Sequence, residues 1–184
     1  MKCENESVSE DLNEKVINEI RFDKRKEYIK YLNKLVHKLQ FRSQTFYLSC
    51  FYFDYILKIN QEICIENAAI GSILLASKFD ELDSIIPEIS KYRSLGNKYY
   101  FTIEELKRSE LQCLLIMNYK LNLFTAYHFI NFFFSIGIVF EDDEINSSSE
   151  NKEMVNRKTA ERVYDTSKEI LLFFIEGNSF LIRR

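Results

Sequence analysis

Between residues 65 and 81 the chain reads IENAAIGSILLASKFDE, and its apolar positions leave no polar face. Ala68, Ala69, Ile70, Gly71, Ile73, Leu74, Leu75, Ala76 and Phe79 cover every side of a helical wheel. A surface helix shows one apolar stripe, so this pattern predicts a helix buried on all sides. The run is shorter than the ~20 apolar residues that span a bilayer. Ala68, Ser72 and Ala76 fall at i, i+4 and i+8, a row of small side chains on one face. Such a row lets neighbouring helices approach toward the short end of the ~8–10 Å range of axial separations. The helix then finishes in Ser77-Lys78-Phe79-Asp80-Glu81, a charged end for a core element.

The flanking patterns predict helices that could surround it. Residues 1–9 are polar and expected to fray, and Leu12, Val16, Ile17 and Ile20 suggest a helix docked outside the bundle. Lys24 to Leu39 is a clearer amphipath, with Tyr28, Tyr31, Leu32, Leu35 and Leu39 at spacings of three and four. Phe41-Arg42-Ser43 breaks it, and Ser43 suits the N-cap of a helix from Gln44 to Leu57. There Phe46, Leu48, Phe51, Tyr52, Tyr55 and Ile56 supply bulk to set against the small residues. Pro87 fits the start of a short helix to Tyr92, followed by a loop from Arg93 to Tyr100 that holds Gly96 and Asn97. Thr102 and Glu105 have the capping-box spacing and open a helix to Asn118. Its inner stripe is expected at Ile103, Leu106, Leu114 and Met117, interrupted by the carboxylate of Glu110. Thr125 suits the cap of a helix through Phe129, Phe132, Phe133 and Ile136, with Gly137 as its stop. Residues 141–153 are acidic, Ser-rich and aperiodic, the pattern of a linker or mobile loop. A last helix is expected from Arg157 to Glu176, lined by Ala160, Val163, Leu171 and Phe174 and ended by Gly177.

Composition agrees with an all-α fold: four Gly and one Pro disfavour a β-sandwich. A net charge of -3 gives no basic stripe for general nucleic-acid binding. The Lys24-Arg25-Lys26 run is expected to be a solvated helix face. Cys3, Cys50, Cys64 and Cys113 form no CxxC pair, and His37 and His128 stand far apart, so no metal site is expected. Cys50 and Cys113 sit in apolar helical patterns as small hydrophobes. The polar, acidic start is no signal peptide, and a reducing intracellular setting is expected. Without a carboxylate pair, a Ser-His-Asp set or a Gly-rich loop, neither an enzyme nor a cofactor is expected. Ser147–Ser149 beside Glu150 is either a solvated loop or a phosphorylation site. Lys78 is either a cation favoured by the helix dipole, worth ~0.3–1 kcal/mol, or one half of an ion pair. Glu110 either edges its stripe or pairs with a cation from another helix, and Lys78 is available by type.

Several motifs in order resemble the first cyclin box. From about Gln44 to Asn131, QTFYLSCFYFDYIL resembles E-T-L-x-L-A-x-x-Y-x-D-R-F-L of the second helix, and AAIGSILLASKFDEL resembles A-A-x-x-x-A-S-K-[FY]-E-E of the third. IIPEI follows the I-x-P-P-E-[IV] segment, YFTIEELKRSELQCLLIMNYKLN resembles the helix after it, and FTAYHFI the start of the last helix of the box. The resemblance implies a five-helix cyclin box around the central buried helix, with an N-terminal helix and one extra C-terminal helix. It implies a kinase-facing surface at which Lys78 and Glu110 form a polar pair that hydrogen-bonds backbone groups of the kinase. Phe79, Leu114 and Leu121 would be the flanking apolar positions against the kinase C-helix. The implied function is a regulatory subunit that binds and activates a cyclin-dependent protein kinase by holding its C-helix inward, in the nucleus or cytoplasm, with no cofactor, nucleic acid or membrane involved. The alternative is a cyclin-fold adaptor or transcription-related scaffold without kinase activation.

The chain also departs from the family pattern. Where cell-cycle cyclins carry M-R-x-x-L-x-x-W, this chain has KRKEYIKY, residues 24–31, with only Arg25 and the aromatic Tyr31 in common. Substrate docking through an R-x-L groove is therefore not predicted. Asp80 replaces a glutamate, and Phe124 a proline. The expected organisation is an N-terminal segment over 1–22, the box over 23–140, an acidic linker over 141–153, and a helix over 154–184 that resembles the start of a second box. A chain ending there would leave Leu171, Phe173 and Phe174 partly uncovered.

Overall fold

The computed structural model describes residues 24–95, 99–136, 144–145, 153–154 and 157–177. The expectations for the N-terminal helix around Leu12–Ile20 and for Gly96, Asn97, Gly137 and Ser147–Ser149 lie outside the described residues. The described residues up to Leu121 form one compact unit and those from Asn122 onward another. The architecture is all-α, and the strands among the described residues are two-residue ladders.

Helix α1 covers 24–39 and buries Arg25, Tyr28, Ile29, Leu32, Leu35 and Val36. Tyr31 and Leu39, expected inside, are half-buried, so the stripe is rotated toward Ile29 and Val36. The helix stops because Gln40 takes a left-handed φ of 58°. The Phe41 N–H then reaches back to the Val36 carbonyl at 3.0 Å and the Gln40 N–H to that of His37 at 3.3 Å. These are the two bonds of a Schellman turn, and buried Phe41 closes it.

Arg25 corrects the expectation of a solvated basic face: it is 1% exposed. Its Nε donates to Asp54 Oδ1 at 2.6 Å and its Nη2 to Oδ2 at 2.8 Å. Asp54 lies in α2 (Ser43–Ile59), so this two-bond fork ties the start of α1 to the middle of α2. Only a planar guanidinium matches a carboxylate in this way. Phe46, Leu48, Tyr52, Phe53 and Ile56 fill the buried side of α2, while Phe51 and Tyr55 are half-buried. Ser43 does not cap α2. The cap position is Arg42, which makes no side-chain capping bond.

Helix α3 (Ile65–Asp80) is buried without a gap from Ala68 to Ser77. It packs against both α2 and α4 (Ile103–Ile116). The capping box of α4 is present: Thr102 Oγ1 accepts the Glu105 N–H at 3.2 Å, and the Glu105 carboxylate accepts the Thr102 N–H at 2.7 Å. The inner stripe of α4 is Leu106, Ser109, Cys113 and Met117, whereas Ile103 and Leu114 are only half-buried. The reason is the seam with α3. A Cβ added to Gly71 would stand 2.7 Å from the Ser109 carbonyl oxygen and would overlap Cys113 Sγ. The closest approach therefore needs small groups on both helices, and α4 turns Ser109 and Cys113 inward to provide them.

The short helix expected from Pro87 is a 3-10 turn over Ile89–Tyr92. Buried Tyr92 sets its hydroxyl 2.9 Å from Ser77 Oγ at the end of α3. The expected loop after it contains an antiparallel ladder, β1 (Ser94–Leu95) with β2 (Tyr99–Tyr100). In the second unit, Thr125 precedes α5 (Ala126–Ile136), and its N–H donates to His128 Nδ1 at 3.1 Å. The imidazole thus takes the role that Glu105 plays at α4. Tyr164 of α6 (Arg157–Gly177) donates to Asn131 of α5 at 2.6 Å. A second ladder pairs β3 (Glu144–Ile145) with β4 (Glu153–Met154). On α6, Ala160 and Leu171 are half-buried and Val163, Phe173 and Phe174 exposed.

Removing one partner of a buried ion pair strands the other charge, at a cost of ~3–5 kcal/mol. Asp54→Ala is therefore expected to destabilise the chain on that scale, and Arg25→Met with Asp54→Leu to recover most of the loss, as checked by urea melts. Gly71→Ala is expected to destabilise despite a helix-propensity gain of ~1 kcal/mol, because overpacking a tight seam costs ~1–3 kcal/mol. An unchanged urea midpoint would show that the seam can open freely.

Candidate functional site

The charged end of α3 is built by two acids that turn inward and two residues that cannot. Glu81, whose side chain is 0% exposed, accepts the Arg42 backbone N–H at 2.7 Å and Arg42 Nε at 3.2 Å. Thr45 Oγ1 donates to it at 2.5 Å. Asp80 accepts from Gln44 Nε2 at 2.7 Å, and its Oδ2 lies 2.8 Å from the same Thr45 Oγ1, whose single proton the two carboxylates share. The N-terminus of α2 is thus capped at the Arg42 N–H by Glu81, just past α3, and both carboxylates carry the charge its dipole favours. Ser77 is held by its bonds to the Leu74 carbonyl and to Tyr92. With Ser77, Asp80 and Glu81 fixed inward, helical geometry leaves Lys78 and Phe79 facing out, Phe79 being 47% exposed.

Lys78 does find Glu110. Its Nζ lies 2.6 Å from Glu110 Oε1, with side-chain exposures of 51% and 17%. Glu110 is placed by the α3–α4 seam, since it is the next residue after buried Ser109. Leu114, one turn on, is half-buried, and Leu111 and Leu115 beside it are exposed. Beyond α4, Asn118 and Tyr119 both take left-handed φ, 50° and 59°, which turns the chain sharply. Tyr119 N–H bonds to the Leu114 carbonyl at 3.1 Å. The turn delivers Leu121, whose carbonyl accepts the buried Tyr52 hydroxyl at 2.5 Å. Burial, and then the charge of Asp80, push the Tyr52 phenol well above its ordinary value. Lys78 and Glu110 are therefore joined directly, while Phe79, Leu114 and Leu121 are each placed by the scaffold around them.

Sequence reasoning missed Tyr92, Gly71 and the Arg25–Asp54 fork as supports of this surface. An aspartate inside the apolar YFDYIL run was the one available signal for the fork. On the opposite question of docking, Tyr28 is buried with its hydroxyl donating to Glu66 at 2.8 Å, and the Tyr31 hydroxyl donates to Glu27 at 3.2 Å. The positions aligned with the R-x-L groove thus carry hydrogen-bonded phenols. Among the described residues no three His, Cys, Asp or Glu side chains gather as a metal site, and no helix is long and apolar enough to cross a membrane.

The family profile described as "Cyclin, N-terminal domain" matches residues 2–122. The chain is 25% identical to Cyclin-D5-1 of Arabidopsis thaliana over 149 residues, which cover 77% of this chain and 43% of that protein. It is 27% identical to Cyclin-D1-1 of the same plant over 114 residues, 59% of this chain and 33% of that protein. The chain thus spans less than half the length of these curated relatives. No solved structure matches it.

The groups beneath the site tie its integrity to pH. Burial, partly offset by the Ser77 hydrogen bond and added to by Glu110 and Glu81, raises the Tyr92 phenol from 10.0 to about 12. Burial, with Glu110 second, raises the Cys113 thiol from 9.0 to about 12. Both groups are neutral when protonated and hold their protons more tightly when folded. Their stabilisation is complete below the unfolded values and is lost as pH rises through the folded ones. The melting temperature is expected to fall from about pH 9 to about pH 12. Cys113→Ala should remove part of the decline that starts near pH 9, and identical profiles for the two proteins would refute the coupling.

Proposed function

This chain belongs to the cyclin family, and we propose that it binds a cyclin-dependent protein kinase and activates it by holding the kinase C-helix in the active position. Cyclins are regulatory subunits rather than enzymes, and a kinase partner is general to the family. The observation that carries the reading is the Lys78–Glu110 pair at 2.6 Å beside exposed Phe79. The pair is half-open to solvent in the free chain. A docking surface would desolvate it and engage its remaining donors and acceptors. Phe79, Leu114 and Leu121 are the apolar contacts of the same surface. The reaction chemistry stays with the kinase, whose lysine–glutamate pair and activation loop are ordered by the correct C-helix position. The two relatives matched bear D-type cyclin names, which supports a cell-cycle role; the setting we propose for it is the nucleus or cytoplasm.

Truncating one partner of a charge pair desolvated in an interface costs ~2–5 kcal/mol. Lys78→Ala with Glu110→Ala is expected to abolish co-purification with the kinase and its stimulation, while the helical circular-dichroism spectrum is kept. Kinase binding that survives the double change at wild-type strength would sink the assignment of this surface.

A further inference from the structure

Helix α1 shows water a single sign of charge. Its exposed residues are Lys24, Lys30, Lys34, His37 and Lys38, with no acid and no apolar residue among them. Half-buried Lys26 extends the row, so that Lys26, Lys30, Lys34 and Lys38 stand at i, i+4, i+8 and i+12. At ~1.5 Å of rise per residue they form one ridge about 18 Å long, with about 6 Å between neighbours. Helix α4 is the contrast: it exposes Glu104 and Glu105 together with Lys107 and Arg108.

Nothing local neutralises this ridge. Among the described residues no carboxylate pairs with Lys24, Lys30, Lys34 or Lys38. The one acid of α1, Glu27, is half-buried and accepts the Tyr31 hydroxyl at 3.2 Å. Lys34 Nζ lies 6.0 Å from the centre of the Tyr31 ring, a contact that steadies the cation without cancelling its charge. Like charges at i and i+4 repel along a helix, so the row works against α1 itself. The helix is held by its other side, through the Arg25–Asp54 fork and buried Tyr28, Ile29 and Leu32, and this turns the lysines outward. Residues 24–39 hold six Lys and Arg and one acid, in a chain whose net charge is -3.

The make-up of the face selects the class of partner. A helix that lies on lipid carries apolar side chains beside its cations, and α1 exposes none. A nucleic acid binds by having many phosphates neutralised at once, and the excess of acid outside α1 would repel it. A short acidic peptide meets the ridge alone. About 18 Å is the length of roughly five to six residues of extended chain, and alternate side chains of such a segment stand ~6.6 Å apart, close to the spacing of the lysines. We infer that the outer ridge of α1 is a docking site for an extended acidic segment of a partner protein, held by Lys30, Lys34 and Lys38 with Lys26 at its end. The inference stands apart from the kinase-binding reading, since it concerns a different helix and is measured without a kinase.

The test titrates the full chain against a fluorescently labelled short peptide that alternates glutamate with serine, read by anisotropy. Saturable binding is expected, weakened by salt and absent with glutamine in place of glutamate. Lys30→Glu with Lys34→Glu and Lys38→Glu should weaken it at least about tenfold with the helical circular-dichroism spectrum kept. The same three lysines changed to glutamine should also weaken it, with no fall in melting temperature because repulsion within α1 is relieved. This second variant separates docking from folding. Lys58→Glu with Lys91→Glu and Lys107→Glu makes the same change of net charge at exposed lysines outside α1 and should leave binding within about twofold. Equal losses in the two sets of glutamate variants would show a diffuse effect of net charge and overturn the site, as would a wild-type chain that never saturates. Tighter binding of duplex DNA or of phosphatidylserine vesicles than of the peptide, through the same α1 lysines, would overturn the acidic peptide as the occupant.

Discussion

A helix with no polar face has to be enclosed, and the first unit is arranged to enclose α3. From Ala68 to Ser77 every residue is buried. The enclosure works because its wall is small where α4 crosses and large where α2 lies alongside. Gly71 lets α4 close to the point where a single added carbon would strike the Ser109 carbonyl. Phe46, Tyr52 and Phe53 fill the other side. Burial of this kind stabilises in proportion to the apolar area removed from water. It fixes positions only where steric contact is close, and the Gly71 seam is such a contact.

Polar groups then determine how the enclosing helices are keyed. Arg25 and Asp54 form a buried fork that sets α1 against α2. A fully desolvated pair adds little net stability over an apolar pair but penalises any other register heavily. Asp80 and Glu81 key α3 against α2, and Glu81 satisfies the Arg42 N–H that no local residue serves. The two pairs of groups answer why a core helix ends in charge. The acids are turned inward as caps for another helix, and Lys78 and Phe79 point outward because the inward positions are already taken.

The Lys78–Glu110 surface follows from this keying. Glu110 is placed by the residue before it, Ser109, which is locked in the seam. Leu121 is placed by Tyr52, a residue of a different helix, through its backbone carbonyl. Tyr92 clamps the last turn of α3 through Ser77, next to Lys78. Each of these supports lies behind the exposed residues of that surface and fixes where they stand. A surface that recognises another protein by a few polar contacts needs such rigid backing, because misplacement of an ångström loses the hydrogen bonds.

The sequence alone determined the α-helices among the described residues, since each carries an apolar period or a cap that acts within one or two turns, though not the 3-10 form of the turn at Ile89–Tyr92. The Thr102 box, the limits of α3 and the stop after Leu39 were legible because the bonds that make them span fewer than six residues. The types of the site residues were legible too, through the ordered motifs around Lys78 and Glu110. The sequence did not reveal which charge meets which. Arg25 looked like a solvated cation until Asp54, 29 residues away, was folded against it, and Ser43 looked like a cap until Glu81 took that work from 39 residues beyond Arg42. Tertiary structure decided these pairings because a charge is satisfied by whatever group the packing of helices brings to within hydrogen-bond distance. That distance depends on the whole bundle and on no local pattern.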